Sequence, residues 1–300
     1  MINSRNCPVC NSSSAQASVF MEENIDASQI SEFSFASRKA PEWMCHRLVR
    51  CQTCSLVYAP TPPSVEELAQ AYHQAAYDSN EEANDAAKSY MIAISPALRQ
   101  LKSKKSALEI GTGTGIFLEY LSQAGFASTV GVEPSMAAIE SAPQARQSLI
   151  RHGIFKEQDF APESFDLICC FMTLEHVQDP MALARSTFSL LRKGGAFVCV
   201  THDYQSLVNR FLGKRSPIID IEHMQLFSKQ SAHMMLKSAG FSSVLVRSFT
   251  NSYSLQYWLR LSPIPRFLKR LLTPIFASKP IASMRLGVNV GNIVTMGFKG

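Results

Sequence analysis

The sequence has no acidic residue in its last quarter. Glu222 is the last one, and residues 223–300 carry ten Lys and Arg side chains. The whole chain has a net charge of +5, so this segment contributes +10 and the first 222 residues sum to −5. Such an asymmetry suits nucleic acid, a membrane surface or an anionic substrate, and the charge alone leaves these partners open.

Long apolar runs are also missing. None reaches the roughly 18–20 residues that a membrane-spanning helix needs, and Met1–Asn6 contain no apolar core of a secretory signal. A chain of 300 residues with 46% hydrophobic and 18% charged side chains is typical of a globular protein of one large domain or two. These features exclude a chain that is disordered throughout and predict a cytoplasmic location.

Four of the eight cysteines form two C-x2-C pairs. Each pair places two thiolates on one tight turn, and two such turns supply the four ligands of a tetrahedral structural zinc site. A disulfide is a weaker alternative in a cytosolic chain, and Cys45 or His46 is an alternative ligand. We expect a zinc-ribbon-like module over residues 1–62, with a structural rather than a catalytic metal. The predicted ligands are Cys7, Cys10, Cys51 and Cys54.

A glycine-rich turn follows the first strong strand signal. Ser106–Ile110 is a short apolar run, and Gly111, Gly113 and Gly115 come directly after it, before an apolar helical pattern. Strand, glycine turn and helix form the phosphate- or nucleoside-binding turn of a doubly wound sheet. Glycine allows the sharp turn and the close approach of a ligand to the backbone. The G-x-G-x-G spacing departs from the G-x-G-x-x-G dinucleotide pattern.

Acidic and aromatic residues follow the later strands. Glu133 comes after a strand over residues 129–132, where a carboxylate can accept hydrogen bonds from both ribose hydroxyls. Residues 158–160 are expected to end a third strand, so that Asp159 accepts from an adenine amino group and Phe160 stacks on the ring. Further strands are predicted over residues 165–171, 196–201, 243–247 and 292–298.

In this order, the motifs resemble the class I S-adenosylmethionine (SAM)-dependent methyltransferases. The resemblance covers residues 100–248 and rests on Leu108–Gly115, Glu133, Asp159–Phe160, Leu174–Val177 and Leu191–Gly195. It implies a seven-stranded, doubly wound α/β sheet, SAM as the cofactor and methyl transfer as the activity. The implied cofactor contacts are Glu109, Gly111, Thr112, Gly113, Gly115, Glu133, Pro134, Ser135, Asp159, Phe160 and Phe171.

The cysteine pairs extend this resemblance to a subgroup of the family. Together with residues 50–58, they look like the methyltransferases that carry an N-terminal zinc-binding segment. Members of that subgroup tend to act on small biosynthetic molecules, and the resemblance implies an acceptor of the same kind.

Three histidines are candidate general bases. His176 and His202 follow the fourth and fifth strands, and His223 lies in a later loop. Histidine suits proton removal from an acceptor at neutral pH, and a structural hydrogen-bonding role is the alternative for each. Related O-methyltransferases of the quinone pathway have a histidine at the position of His176 and a Glu four residues earlier, where this chain has Met172. The resemblance therefore does not extend to a catalytic metal.

Residues 249–290 are predicted to form an insertion before the last strand of the core. They hold several aromatic side chains and six basic ones, and Arg266–Leu272 is amphipathic at helical spacing. Prolines at positions 263, 265, 274 and 280 predict short helices, which favours a cap over the acceptor pocket. Peripheral membrane contact, nucleic-acid contact and a solvated or dimer-forming helix are the alternatives.

These segments predict a two-part enzyme that transfers a methyl group to a small metabolite. An anionic or sugar-type acceptor is expected because basic charge lies near the presumed acceptor side. An RNA methyltransferase with a zinc module and a non-catalytic binding protein of the same fold are the alternatives. No Asn/Asp-Pro-Pro-Tyr motif is present, so nucleic acid is not the expected partner. The predicted segments are the zinc module (1–62), a helical linker or lid (63–101), the SAM-binding core (102–248), a helical cap (249–290) and the last core strand (291–300).

Overall fold

Strands and helices alternate along most of the chain. A computed structural model describes residues 4–30, 34–35, 42–74, 80–262, 264–276, 281 and 284–300. The strands are β1 (Ser18–Met21), β2 (Leu48–Arg50), β3 (Val57–Tyr58), β4 (Ser106–Ile110), β5 (Ser128–Glu133), β6 (Ile150–His152), β7 (Phe165–Phe171), β8 (Leu191–His202), β9 (Gln225–Leu226), β10 (Ser243–Ser248), β11 (Asn251–Ser254), β12 (Arg285–Val288) and β13 (Asn292–Phe298). The helices are α1 (Val65–Gln74), α2 (Asn80–Gln100), α3 (Ile116–Gln123), α4 (Met136–Glu140), α5 (Gln144–Gln147), α6 (Pro180–Leu190), α7 (Leu207–Leu212), α8 (Lys229–Ser238), α9 (Leu255–Leu261) and α10 (Arg266–Phe276).

Seven strands form the central sheet, in the order β10-β13-β8-β7-β4-β5-β6. Strands β4 to β8 pair in parallel, whereas β13 runs antiparallel to both β8 and β10. Every residue of β7 is buried, as expected for a strand covered on both faces. Ile168 packs into the core on one face, and Leu167 packs into the core on the other. The predicted doubly wound α/β fold is confirmed, and the last strand has its predicted bounds.

The predicted third strand is wrong in its position. β6 ends at His152, and Glu157–Asp159 forms a single turn of 3-10 helix. The Arg151 guanidinium donates a hydrogen bond to the Asp159 carbonyl (3.0 Å), which folds the chain back towards β6. Phe155 and Phe160 are half-buried against the core, so the segment that was expected to end the third strand is a loop held down by two aromatic rings.

The N-terminal residues do not form a separate body. β1, β2, β3 and β9 make a four-stranded sheet, and β9 comes from the second half of the core. Val57 pairs with Leu226 and Tyr58 with Gln225, in antiparallel register. The predicted zinc module therefore shares a sheet with β9, a strand that follows the fifth core strand in the sequence.

In its described residues, the segment between β10 and β13 combines two strands with two helices. β11 and β12 pair as an antiparallel hairpin, and α9 and α10 lie between them in the sequence. Pro265 precedes α10, but Pro274 lies within that helix. The predicted cap is thus helical only in part, and Pro263 and Pro280 fall outside the described residues. None of the helices in the described ranges combines the length and apolar character needed to cross a bilayer.

Candidate active site and cysteine cluster

A cavity of about 860 Å³ opens where the carboxyl ends of the parallel strands meet. Its lining comes from the glycine turn, the loops after β5, β6, β7 and β8, the loop before β9, and the segment between β10 and β13. A volume of this size is sufficient for a nucleoside cofactor and a small second ligand.

The glycine turn needs glycine for two different reasons. Gly111 has φ +75°, and a Cβ there would lie 2.2 Å from Thr173 Oγ1, so a side chain would collide with the loop after β7. Gly113 has φ +55°, and a Cβ there would meet nothing within 4 Å. Both residues line the cavity. The open space beside Gly113 allows a ligand to approach the backbone.

Glu133 lies across this turn. One carboxylate oxygen accepts a hydrogen bond from the Gly113 amide (2.7 Å), and the other accepts from the Ser135 amide (2.9 Å). Burial raises the pKa of Glu133, although the two amide hydrogen bonds partly oppose that effect. Each oxygen keeps capacity for a further donor such as a ribose hydroxyl, which fits the predicted role.

The other predicted cofactor contacts divide into two groups. Gly115 lies outside the cavity lining and begins α3 with φ +68°. Asp159 and Phe160 also lie outside it, because the 3-10 turn carries them away from the strand ends. Phe160 instead packs against Phe155 and under the Arg151 guanidinium, 4.6 Å from its ring centre. The predicted residues that line the cavity, besides the two glycines and Glu133, are Glu109, Thr112, Pro134, Ser135 and Phe171.

The loop from Gly153 to Gln158 takes the place expected for Asp159 and Phe160. All six of its residues line the cavity. Sequence reasoning missed this loop because it placed the end of the third strand too late. A strand of only three residues carries a weak pattern, so the sequence marks its end poorly.

The three candidate histidines lie together on the cavity wall. The ring centres of His176 and His223 are 5.0 Å apart, and those of His202 and His223 are 5.4 Å apart. Nδ1 of His202 is 3.2 Å from Oε1 of Glu175, and Nδ1 of His176 is 3.2 Å from Oε2 of Glu222. Two imidazoles are thus oriented by carboxylates.

Burial and pairing set the charges of this cluster. Burial alone would raise the pKa of Glu175, but hydrogen bonds from His202 and the nearby imidazoles outweigh it and keep that pKa below its usual value. Burial lowers the pKa of His223, whose Nδ1 donates to the Ile218 carbonyl (2.8 Å). His223 is therefore neutral at pH 7, while Glu175 carries a negative charge behind His202.

The basic side chains of the insertion that the structure describes do not line the cavity. Arg260 pairs with Glu82 (3.1 Å) and lies over the Tyr257 ring, and Arg285 pairs with Asp85 (2.7 Å). Within the described part of the chain, the lining holds one lysine and no arginine, against six Asp and Glu residues. An anionic acceptor was expected because of basic charge near the acceptor side, and the described lining does not provide that charge. The insertion contributes aromatic side chains to the wall instead, namely Tyr253, Tyr257 and Trp258.

The four paired cysteines converge in a cluster of their own, outside the cavity lining. Their sulfur atoms all lie within 4.8 Å of one another, with 3.5 Å between Cys7 and Cys54 and 3.4 Å between Cys10 and Cys51. A tetrahedral zinc ion with Zn–S bonds of about 2.3 Å requires sulfur separations of about 3.8 Å. A hydrogen bond from the Cys54 thiol lowers the pKa of Cys7 to about 7. The donor set and its spacing fit zinc.

The alternative ligands are not part of this cluster. Cys45 is fully buried, its thiol points to the Glu22 carbonyl (3.9 Å), and burial raises its pKa to about 11. Among the residues that the structure describes, the four cysteines are the only group of three or more His, Cys, Asp or Glu side chains close enough to share a metal ion. Asp220, Glu222 and His223 do not form such a group.

Comparison with known proteins agrees with the fold and the cavity. The model of a family described as a methyltransferase domain matches residues 80–246, more than half of the chain. The chain belongs to this family. Its glycine turn, Glu133 and the histidine cluster all fall within the matched residues.

Curated proteins similar to part of this chain are named as O-methyltransferases. Ubiquinone biosynthesis O-methyltransferases are 33% identical over 102 residues in Stutzerimonas stutzeri and 30% identical over 99 residues in Neisseria meningitidis. Each match covers 30% of this chain and 41% of the relative, so the chain spans about two fifths of the length of these proteins.

A solved structure agrees with the fold alone. A chain from the complex of the Haloferax volcanii Trm112 methyltransferase activator and methyltransferase has 15% sequence identity and a TM-score of 0.50. The match covers 78% of this chain and 97% of that one.

Proposed function

We propose that the protein transfers a methyl group from SAM to a hydroxyl group of a small, uncharged biosynthetic molecule. The observation that carries the proposal is that the glycine turn, Glu133 and three histidines line one cavity. The names of the curated relatives favour oxygen as the methylated atom. SAM, when bound, supplies a methyl group that is already activated by the sulfonium, so the protein has to orient the acceptor and remove one proton.

Residues of the first two strand ends would hold the cofactor. The backbone at Gly111 and Gly113 leaves room for close approach, and Glu133 lies beside it with acceptor capacity for ribose hydroxyls. Pro134 and Ser135 continue this wall, and Phe171 closes it from β7. Their common position on the lining supports the assignment.

His202 is the residue that we assign as general base. Its Nδ1 and its backbone amide both point to Glu175, which holds the imidazole with Nε2 as the acceptor nitrogen. Nε2 has no hydrogen-bond partner among the described residues. Nε2 would take the acceptor's hydroxyl proton, and the buried Glu175 carboxylate would stabilise the imidazolium that forms.

The acceptor half of the cavity suits an uncharged molecule. Tyr253, Tyr257 and Trp258 provide ring faces for stacking. The side-chain oxygens of Asn251 and Asn292 are buried, and neither has a partner within the described ranges, so both can accept from hydroxyl groups if the side chains turn towards a ligand. We therefore keep a sugar-type molecule, and not an anionic one, as the candidate acceptor.

Titration calorimetry with SAM tests cofactor binding. Gly113→Arg should abolish binding, because its side chain would fill the space beside the turn. Gly194→Arg is the matched control, since Gly194 also has positive φ and open space but lies outside the cavity lining. Absence of binding by the wild type, or equal loss in both variants, would contradict the proposal.

His202→Asn tests the general base. The variant should bind SAM like the wild type and transfer labelled methyl groups to hydroxylated small molecules about 10²–10⁴-fold more slowly. His233→Asn is the control, because His233 is exposed on α8. If His202→Asn keeps full activity, a different residue removes the proton.

For the cysteine cluster, we propose a structural zinc ion bound by Cys7, Cys10, Cys51 and Cys54. Four thiolates would close the coordination sphere, so the ion would hold the fold and take no part in methyl transfer. Metal analysis of protein purified without chelators should find about one zinc ion per chain. Protein that is folded and free of metal would refute this assignment.

A further inference from the structure

Helix α10 exposes a row of large apolar side chains. Phe267, Leu271 and Ile275 are 69%, 68% and 52% exposed. Residues four apart lie on the same face of a helix, so these three form one stripe. The neighbouring positions Leu268 and Leu272 are half-buried, and the Lys269 ammonium donates to the Arg260 carbonyl on α9 (2.6 Å). Phe267 and Leu271 are therefore the most exposed apolar side chains of this helix.

The charge around this stripe has one sign. Arg270 is exposed and lies next to Phe267 and Leu271 on the helix surface. Helix α10 itself contains Arg266, Lys269 and Arg270 and no acidic residue. Met284 and Leu286, in the same insertion, are also 55% and 48% exposed. A partner that covers this surface must be apolar in its interior and negatively charged at its edge.

We propose that α10 binds the surface of an anionic phospholipid membrane. An amphipathic helix with Phe and Leu on one side and Arg beside them lies in the plane of the headgroups. Phe267 and Leu271 enter the acyl boundary, and Arg270 contacts lipid phosphates. The contact is peripheral, because an 11-residue helix is about 16 Å long and cannot span a hydrocarbon core of about 30 Å.

This orientation brings the cavity close to the lipid. Tyr257 and Trp258 on α9 form part of the cavity wall, and α10 packs against α9. The membrane-bound helix would thus place the aromatic wall of the cavity near the headgroup layer. The binding itself does not depend on the proposed function, because it requires neither SAM nor an acceptor.

Vesicle co-sedimentation tests the proposal. The full chain is mixed with one of two kinds of vesicle. One kind contains phosphatidylcholine alone, and the other contains an equimolar mixture of phosphatidylcholine and phosphatidylglycerol. We expect binding to the anionic vesicles that weakens as salt is added, since surface charges are screened. Absence of binding to the anionic vesicles by the wild type would overturn the proposal.

Two variants separate the apolar and the charged contributions. Phe267→Ser with Leu271→Ser should lower the partition coefficient by about tenfold or more, because two apolar side chains no longer enter the lipid. Arg270→Glu should lower it several-fold on the anionic vesicles and little on neutral ones. The control is Val19→Ser with Ile92→Ser, which removes two side chains of 51% and 76% exposure outside the insertion.

Two further measurements complete the test: vesicle binding by the control variant and the oligomeric state of the wild type. Equal loss of binding in the control would contradict the assignment to α10. Sedimentation velocity shows whether a second copy of the chain covers the stripe instead. If the wild type is a dimer that Phe267→Ser with Leu271→Ser dissociates, and it ignores anionic vesicles, the stripe is a self-association surface and the membrane proposal fails.

Discussion

The N-terminal cysteine module and the C-terminal insertion are both additions to the same central sheet, but they are attached in opposite ways. The module shares a sheet with the core through the pairing of β3 with β9, and Leu56, Val57 and Tyr58 are completely buried. The insertion forms its own hairpin and leaves one face of α10 exposed. The module is part of the folding unit, whereas the insertion presents a surface.

Arg5 shows how closely the module is joined to the candidate active site. Its guanidinium donates to the carbonyls of Ala59 (2.8 Å), Met224 (3.3 Å) and Gln178, and to the Gln225 side chain (3.2 Å). Burial lowers the pKa of Arg5 to about 10, which still leaves it charged at pH 7. Because Met224 follows His223, the module supports the loop that carries part of the histidine cluster.

The largest expected effect is the loss of a zinc ligand. Cys51→Ser should remove the metal and lower the free energy of unfolding by more than about 4 kcal/mol, because the buried module loses its cross-link. Metal content and urea unfolding measure both effects. Cys45→Ser is the control. Cys45 is buried but lies outside the cluster, so this variant should still bind zinc. If Cys51→Ser is as stable as this control, the module does not depend on a metal.

Removing the Arg5 contacts should have the next largest effect. Arg5→Met leaves the Ala59 and Gln178 carbonyl groups without this donor, whereas the Met224 carbonyl still accepts from the Ala59 amide (2.8 Å). We expect the free energy of unfolding to fall by about 2–3 kcal/mol. The matched control is Arg47→Met, since Arg47 pairs with Glu22 on an exposed surface and should contribute less than about 1 kcal/mol. Equal effects of the two substitutions would mean that the module is not anchored through Arg5.

A smaller effect should appear as a pH dependence. The pKa of His223 in the folded protein lies below its ordinary value of 6.5 because of burial, so the unfolded chain binds more protons as the pH falls through 6.5. The stabilisation by neutral His223 is present above that pH and is lost below it. Unfolding measured between about pH 7.5 and 5.5 should show a steeper loss for the wild type than for His223→Gln. Identical slopes would indicate that His223 takes up a proton as readily in the folded protein as in the unfolded chain. The exposed His233→Gln serves as the control.

The smallest effect should come from the insertion. Leu271→Ser should change the free energy of unfolding by less than about 0.5 kcal/mol, because the side chain is 68% exposed. The same substitution at Leu56, which is 0% exposed in the module, should cost several kcal/mol. Thermal and urea unfolding compare the two directly. A large loss for Leu271→Ser would mean that another part of the protein covers the stripe.

Local sequence signals predicted the features that depend on neighbouring residues. The glycine turn between β4 and α3 requires positive φ at Gly111 and Gly113, which glycine alone adopts without strain. The last strand was predicted with its observed bounds because Asn292–Phe298 fits the final antiparallel strand that the resemblance to class I methyltransferases implies. The C-x2-C spacing likewise brings each pair of thiols together within one turn.

Other features depend on contacts between distant parts of the chain, and only the tertiary structure decided them. Glu175 orients His202 from 27 positions away, and Arg285 turns from the cavity because Asp85 lies beside it. Asp159 was expected at a strand end, but β6 ends at His152 and Asp159 lies in a 3-10 turn whose carbonyl accepts from Arg151. The sequence determined the backbone turns through local preferences, which act over a few residues. The direction of each charged side chain followed from packing, which a linear pattern does not contain.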